Sequence, residues 1–282
     1  MFSRPMSRGN PNLNREPPKE VLENLRREVN FGCPVPDCGV PYLTWHHFDP
    51  PWATRHHHEP KGMIALCATH HELAEGDHWT PDQLRAMKRN PFVRGGSISE
   101  HFGYLRKTVI CRVGNLAYNP RSVLRINGEQ VIGFNRDAQN YNRLNVLVRG
   151  ADKSIIMEMK DNFWTVYLRN LYDFWCPAQG RELEIRSKDQ ETKLTIRFDE
   201  LSLEELHSQF SSRYWNTFMQ SIGNPMTIPV WTVKGKLRWG GQSLEILENE
   251  IIDMKYDSRV SGTILVNPPS GFSYDEEAFK IG

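Results

Sequence analysis

WHHFDPPWATRHHHEPKGMIALCATHHELAEGDHWT, Trp45 to Thr80, holds eight of the ten histidines of a 282-residue chain. Histidine titrates near neutrality and its neutral ring nitrogen ligates metals, so a local crowd of it points to metal binding or proton transfer. The cysteines lean the same way. Of the five, at Cys33, Cys38, Cys67, Cys111 and Cys176, three fall inside or beside the histidine crowd. An odd count, with no apolar leader segment in MFSRPMSRGNPNLNREPPKE, argues against a disulfide framework and for metal ligation.

Spacing sorts the candidates. Cys33-x4-Cys38 suits a tight knuckle that aims two sulfurs inward, and Cys67-x2-His70 brings a third sulfur and a nitrogen to the start of a helix. Together these are the four ligands of a closed tetrahedral zinc site. Between the two pairs, LTWHH reads as a strand ending in His46 and His47, Met63 to Cys67 as its returning partner, and Thr69 to Glu75 as a helix. That order lets His71 face the His46-His47 end of the first strand across a narrow cleft while His70 turns toward the zinc. The surplus of ligands implies two separate metal tasks.

The rest of the chain sets bounds. With 35 Lys plus Arg against 34 Asp plus Glu, no global field draws the molecule to nucleic acid or to an anionic membrane. Any polyanion has to be gripped locally. No stretch has the unbroken apolar length of a membrane span, and the expected location is cytoplasmic. A hydrophobic content of 39% supports a substantial core, and the length suits two modest domains.

Residues 1–18 lack periodicity and read as a flexible arm. Pro18 to Val29 reads as an amphipathic helix with Val21, Leu22 and Leu25 on one side. Thr80 is a helix N-cap with Pro81 at the first helical position, and Leu84 and Met87 sit three apart beyond it. PFVRGGSIS, Pro91 to Ser99, reads as a linker. From about Tyr104 short β-branched and aromatic segments alternate with turn signals, as at Asn127-Gly128 and in SKDQET. Ser202 to Ser221 reads as one helix opened by a capping box of Ser202 and Glu205. The expected fold class is therefore α+β, with a zinc-stabilised domain over 19–95 and a β-rich domain over 96–282.

The Cys-x4-Cys, Trp-His-His and Leu-Cys-x-x-His-His pattern resembles the HNH endonucleases, or His-Me finger nucleases, whose ββα-metal core cuts phosphodiesters with one catalytic divalent ion. The resemblance covers about Gly32 to Lys88. It implies that Cys33, Cys38, Cys67 and His70 hold a structural zinc, His70 standing where a fourth cysteine is more usual. It implies that His47 is the general base, and that His46 and His71 are ligands of a catalytic Mg2+, Mn2+ or Ni2+. The implied substrate is nucleic acid, and DNA rather than RNA because the family mostly cuts DNA.

One position departs from the pattern. The family's asparagine, five residues before the cysteine of the Leu-Cys element, is Gly62 here. Glycine cannot orient a base or assist a metal, so a neighbour has to substitute: His57, His58 or Glu59, with His58 the first choice as a further metal ligand and Asp49 as an orienting group. Ordinary imidazole titration would make activity fall below about pH 6.

Weaker signals surround this core. Arg55, Lys61 and Lys88, with Arg85 and Arg89, flank the cleft and could grip phosphates, although such residues more often mark a solvated face. Trp45, Trp52 and Trp79 suit packing better than base stacking. His56, His57, His58 and His78 are expected on an exposed loop. The segments DNFW and YDFWCP suggest aromatic core with Cys176 buried. A different class of function also fits: a zinc-stabilised nucleic-acid-binding or protein-interaction module that has lost cleavage, with Gly62 in its favour. A protein partner held by the β-rich domain is a further expectation.

Overall fold

The computed structural model describes residues 12–93, 95–113, 115–118, 122–126, 129–177, 179–209, 225–239, 242–246, 251–256 and 280–281. The chain is α+β, with short helices and mostly sheet. It divides into two compact units, residues 1–98 with 175–179, and 99–174 with 180–282. Among the described residues no helix is long and apolar enough to cross a membrane.

The first unit is built on a two-stranded antiparallel ribbon, β1 (Leu43–His47) and β2 (Met63–Cys67), followed at once by α2 (Ala68–Glu75). Helix α1 (Lys19–Glu28) precedes the ribbon and α3 (Pro81–Arg89) follows it. All five residues of β2 are buried, so this strand is the spine of the core. Around it pack Leu25 and Val29 of the α1 region, Leu43, Phe48, Ala74 of α2 and Leu84 of α3. Cys33 and Cys67 are themselves part of that core. So small a core rarely holds two short strands and three short helices in place without a covalent or metal staple.

Local sequence explains the element ends. Thr80 accepts from the Gln83 backbone N–H while Gln83 reaches back to the Thr80 N–H, a reciprocal cap that starts α3 with Pro81 in the first turn. The linker expected over Pro91–Ser99 is shorter than its sequence suggests, because β3 (Ser97–His101) already pairs as the edge of a sheet. The 39 residues of Asn12 to Pro50 include the turn that brings Cys38 back to Cys33, where Cys33 N–H donates to Val40 O and Gly39 N–H to Cys33 O. Gly39 takes φ +67° in this turn, a left-handed conformation that favours glycine.

The second unit contains two sheets. One runs β17 (Lys280–Ile281), β6 (Ser122–Ile126), β7 (Glu129–Arg136), β8 (Asn142–Arg149), β9 (Ile155–Lys160), β10 (Phe163–Tyr167), β3. The other runs β11 (Leu171–Trp175), β12 (Glu182–Ser187), β13 (Lys193–Ser202), β14 (Thr227–Trp239), β15 (Gln242–Ile246), β16 (Ile251–Tyr256), with β4 (Ile110–Val113) parallel to β14 and β5 (Asn115–Tyr118) beside β4. Strict in-out alternation in β8 and β12 gives each a single buried face. Trp164, Phe174 and Cys176 are buried as expected, while Phe163 points outward. Asp161-Asn162, which the aromatic reading of DNFW overlooks, forms the two-residue turn between β9 and β10, with φ +51° and +70°. The capping box of Ser202 and Glu205 is present on α4 (Leu203–Gln209). Asn127-Gly128 and residues 210–221 of the longer expected helix lie outside the described residues.

Candidate active site

The end of β1, the start of α2 and the Cys33–Cys38 knuckle converge on two neighbouring groups of ligands. Cys33, Cys38, Cys67 and His70 place their ligand atoms within 4.8 Å of one another. Cys38 Sγ lies 3.9 Å from Cys67 Sγ, and His70 Nδ1 lies 3.2 Å from Cys33 Sγ and 3.3 Å from Cys67 Sγ. A tetrahedral zinc with ordinary bond lengths has edges of about 3.8 Å between sulfurs and about 3.6 Å from sulfur to nitrogen. The four residues therefore could hold a metal ion, and three thiols with one imidazole suit zinc. Burial pushes the Cys33 and Cys38 thiols up and the His70 imidazole down. A neutral imidazole is ready to ligate, whereas a buried thiol needs the ion's charge to give up its proton.

The second group is His46, His71 and Glu75, again with one ligand atom each within 4.8 Å. Strand alternation sends His46 of β1 toward α2, and His71 and Glu75, one helical turn apart, share the face that meets it. Glu75 Oε1 lies 3.7 Å from both His46 Nδ1 and His71 Nε2. His46 is buried, and among the described residues no group closes a hydrogen bond to its Nδ1, Glu75 Oε1 standing off at 3.7 Å. An orphaned imidazole nitrogen beside a carboxylate is what a divalent cation site requires of its donors. His71 Nε2 donates to Trp45 O at 3.2 Å, and ligation through that nitrogen would replace this hydrogen bond. Sequence reasoning missed Glu75. The signal was there, since residue i+4 from a helical ligand lies on the same face.

His47, the residue after His46, packs against the loop that joins the two strands. Its Nε2 contacts His57 O at 3.0 Å. A carbonyl only accepts, so Nε2 carries the proton and Nδ1 carries the lone pair. Burial, then the charges of His57 and other neighbours, lower the His47 pKa to about 4. The fall in activity below about pH 6 expected from an ordinary imidazole is thereby displaced downward for this residue. His46 is lowered too, first by burial and then by His71.

The loop explains Gly62. A side chain there would begin 2.0 Å from the Asp49 carbonyl oxygen, and His57 Cε1 is 3.0 Å away. His57, rather than His58, stands beside Gly62, the position of the asparagine in the resembled family. It is buried rather than loop-exposed, accepts from the Glu59 N–H through Nδ1 and so donates from Nε2 to Pro50 O at 2.8 Å. His58 stands apart from the His46 group and faces Trp52, at 5.5 Å between ring centroids, and His47, at 6.1 Å. His56 stacks on Trp52 at 4.4 Å. Trp45 and Trp79 pack against the core.

The basic candidates separate clearly. Lys88 is used inside the fold: its ammonium meets Pro60 O, Met63 O and Glu28 Oε2, three acceptors for three N–H groups, which leaves nothing to offer a phosphate. Arg55 pairs with Glu59 at 3.0 Å. Asp49, expected to orient a ligand, instead pairs with Arg85. Lys61 is exposed in the short turn Pro60–Gly62. A cleft of about 340 Å3 opens at the site, with His46, His47 and Glu75 on its wall together with Trp52, Trp79 and Arg15. Arg15 belongs to the segment read as a flexible arm, and nothing in its local sequence distinguishes it from neighbouring basic residues.

Comparison of the chain with family models, with curated proteins and with solved structures found no match.

Proposed function

We propose that the first unit is a metal-dependent HNH-type endonuclease domain, hydrolysing phosphodiester bonds of nucleic acid, with DNA the favoured substrate on the strength of the resemblance. The observation that carries the reading is the side-by-side arrangement of a closed Cys3His ligand set and an open His46, His71 and Glu75 set, opening on a cleft that His47 also lines. A closed soft set suits a structural staple, whereas a set of two imidazoles and one carboxylate leaves positions for substrate.

In this reading His47 is the general base. Its Nε2–H is tethered to the His57 carbonyl, which leaves Nδ1 to take a proton from water as the water oxygen bonds to phosphorus. The bond from phosphorus to the leaving oxygen breaks, and that oxygen is protonated from solvent. A divalent ion held by His46, His71 and Glu75 would supply charge neutralisation at the phosphate. His57, locked by Pro50 O and the Glu59 N–H, keeps the loop and hence the base in place. The β-rich unit is proposed to position substrate or a protein partner.

The test is cleavage of supercoiled plasmid by the purified chain with added Mn2+, beside His47→Ala. Nicking by the wild type and its loss in the variant, with zinc content retained, support the reading. Gly62 favours the second reading, a zinc-stabilised binding module. DNA binding by the wild type with no nicking in Mg2+, Mn2+ or Ni2+ would establish it.

A further inference from the structure

The mechanism leaves Arg15, a cation on the wall of the cleft, without a task. Arg15 precedes α1 by four residues, yet its guanidinium lies 3.5 Å from Glu75 Oε1 and it lines the same cleft as His46 and His47. That carboxylate oxygen is the one 3.7 Å from both His46 Nδ1 and His71 Nε2. A guanidinium thus sits at the rim of the cation site, on the carboxylate that a metal ion would claim.

We propose that Arg15 is a phosphate-binding residue that exchanges partners, pairing with Glu75 before metal binds and with the substrate's phosphate after Glu75 is taken by the metal. The inference rests on the cation-site reading of His46, His71 and Glu75. Three physical points carry it. Both members of the pair are half exposed or more, at 65% and 50%, and ion pairs so exposed are weakly held and exchange readily. A divalent charge on Glu75 removes the attraction that holds Arg15 there and repels it as a like charge. The planar guanidinium matches two phosphate oxygens, and the arm leaves it at the mouth of the cleft where a phosphodiester would enter. Of the described residues that line the cleft, Arg15 is the one Lys or Arg, and Lys88 and Arg55 are engaged elsewhere.

The proposal predicts effects of opposite sign from one substitution. In the full-length chain with zinc in place, Arg15→Gln removes a competitor for Glu75, so titration calorimetry with Mn2+ should show binding tightened by about threefold at low salt. In a His47→Ala background with saturating Mn2+, the same change should weaken binding of a fluorescein-labelled DNA duplex. The slope of log affinity against log salt should fall by about 0.9, the signature of one lost phosphate contact. Arg15→Lys should recover the slope. An unchanged slope in Arg15→Gln would overturn the phosphate role, and weakened Mn2+ binding would show that Arg15 supports the site instead of competing for it. If the wild type takes up no Mn2+, or Glu75→Gln leaves uptake unaltered, the cation-site reading itself fails and this proposal with it. An Arg15 failure with Mn2+ uptake intact and dependent on Glu75 refutes the present proposal alone.

Discussion

Replacing Gly62 with alanine should destabilise the first unit and also displace His47, the proposed base. The added Cβ would lie 2.0 Å from the Asp49 carbonyl oxygen and 2.9 Å from its carbon, against an ordinary contact distance of 3.4 Å or more. The obstacle is backbone, so no rotamer change relieves it. Moving Asp49 strains the two hydrogen bonds in which Phe48 N–H and Asp49 N–H both donate to Gly62 O, at 2.9 and 3.2 Å. Overpacking costs about 1–3 kcal/mol and each strained hydrogen bond up to about 1 kcal/mol, so a loss of about 2–4 kcal/mol is expected. A urea titration of the full chain, followed by zinc release to a chromogenic chelator, reports on this unit alone. At a slope of about 2 kcal/mol per molar, the midpoint should fall by about 1–2 M. Gly62→Asn should behave no better, because the asparagine of the resembled family cannot be restored where backbone fills the space. A midpoint within about 0.3 M of wild type would refute the steric account of Gly62.

Other outcomes follow from the same geometry. Cys67→Ser removes one proposed zinc ligand and a buried core residue, so it should abolish stoichiometric zinc and leave the first unit unfolded, as read by elemental analysis and by protease susceptibility. Burial disfavours protonated His47, so this proposed base stays neutral until pH falls toward about 4. Single-turnover nicking at saturating Mn2+ should therefore hardly change between about pH 7 and pH 5.5, and a half-loss near pH 6.5 would show an ordinary imidazole. Two imidazoles with one carboxylate favour Mn2+ or Ni2+ over Mg2+, so nicking rates at equal concentration should rank that way. Glu75→Gln should raise the Mn2+ needed for half-maximal rate by about tenfold or more, since it removes a ligand and its charge.

What the sequence made legible was whatever depends on spacing along one element. The β1, β2 and α2 sequence and the Cys33, Cys38, Cys67, His70 grouping follow from short-range pattern, because a strand alternates and a helix repeats within a few residues. Capping residues Thr80 and Ser202 were legible for the same local reason. Features set by loops and long-range returns were not. The fourteen residues Asp49 to Gly62 fold back so that His57, not His58, stands against Gly62 and gives its carbonyl to His47, and no periodicity encodes that choice. Lys88 looked like a phosphate ligand because its sequence shows only a basic helix end; its three acceptors come from residues 25 to 60 positions away. Arg15 escaped notice because its partner Glu75 is sixty residues distant. Glu75 was legible in principle, one helical turn beyond His71 on the same face, but one carboxylate beside eight histidines carries little local signal.

The central claim, two metal sites with separate tasks, is tested most directly by measuring zinc content and plasmid nicking in the same samples along a chelator titration. Mild chelation should stop nicking while about one zinc per chain remains bound, since buried thiolates hold zinc far more tightly than an open site of two imidazoles and a carboxylate holds Mn2+. Adding back Mn2+ should restore nicking in the wild type and not in His46→Ala. Zinc and activity lost together, at one chelator concentration and irrespective of added Mn2+, would contradict the account and leave a single metal site with a single role.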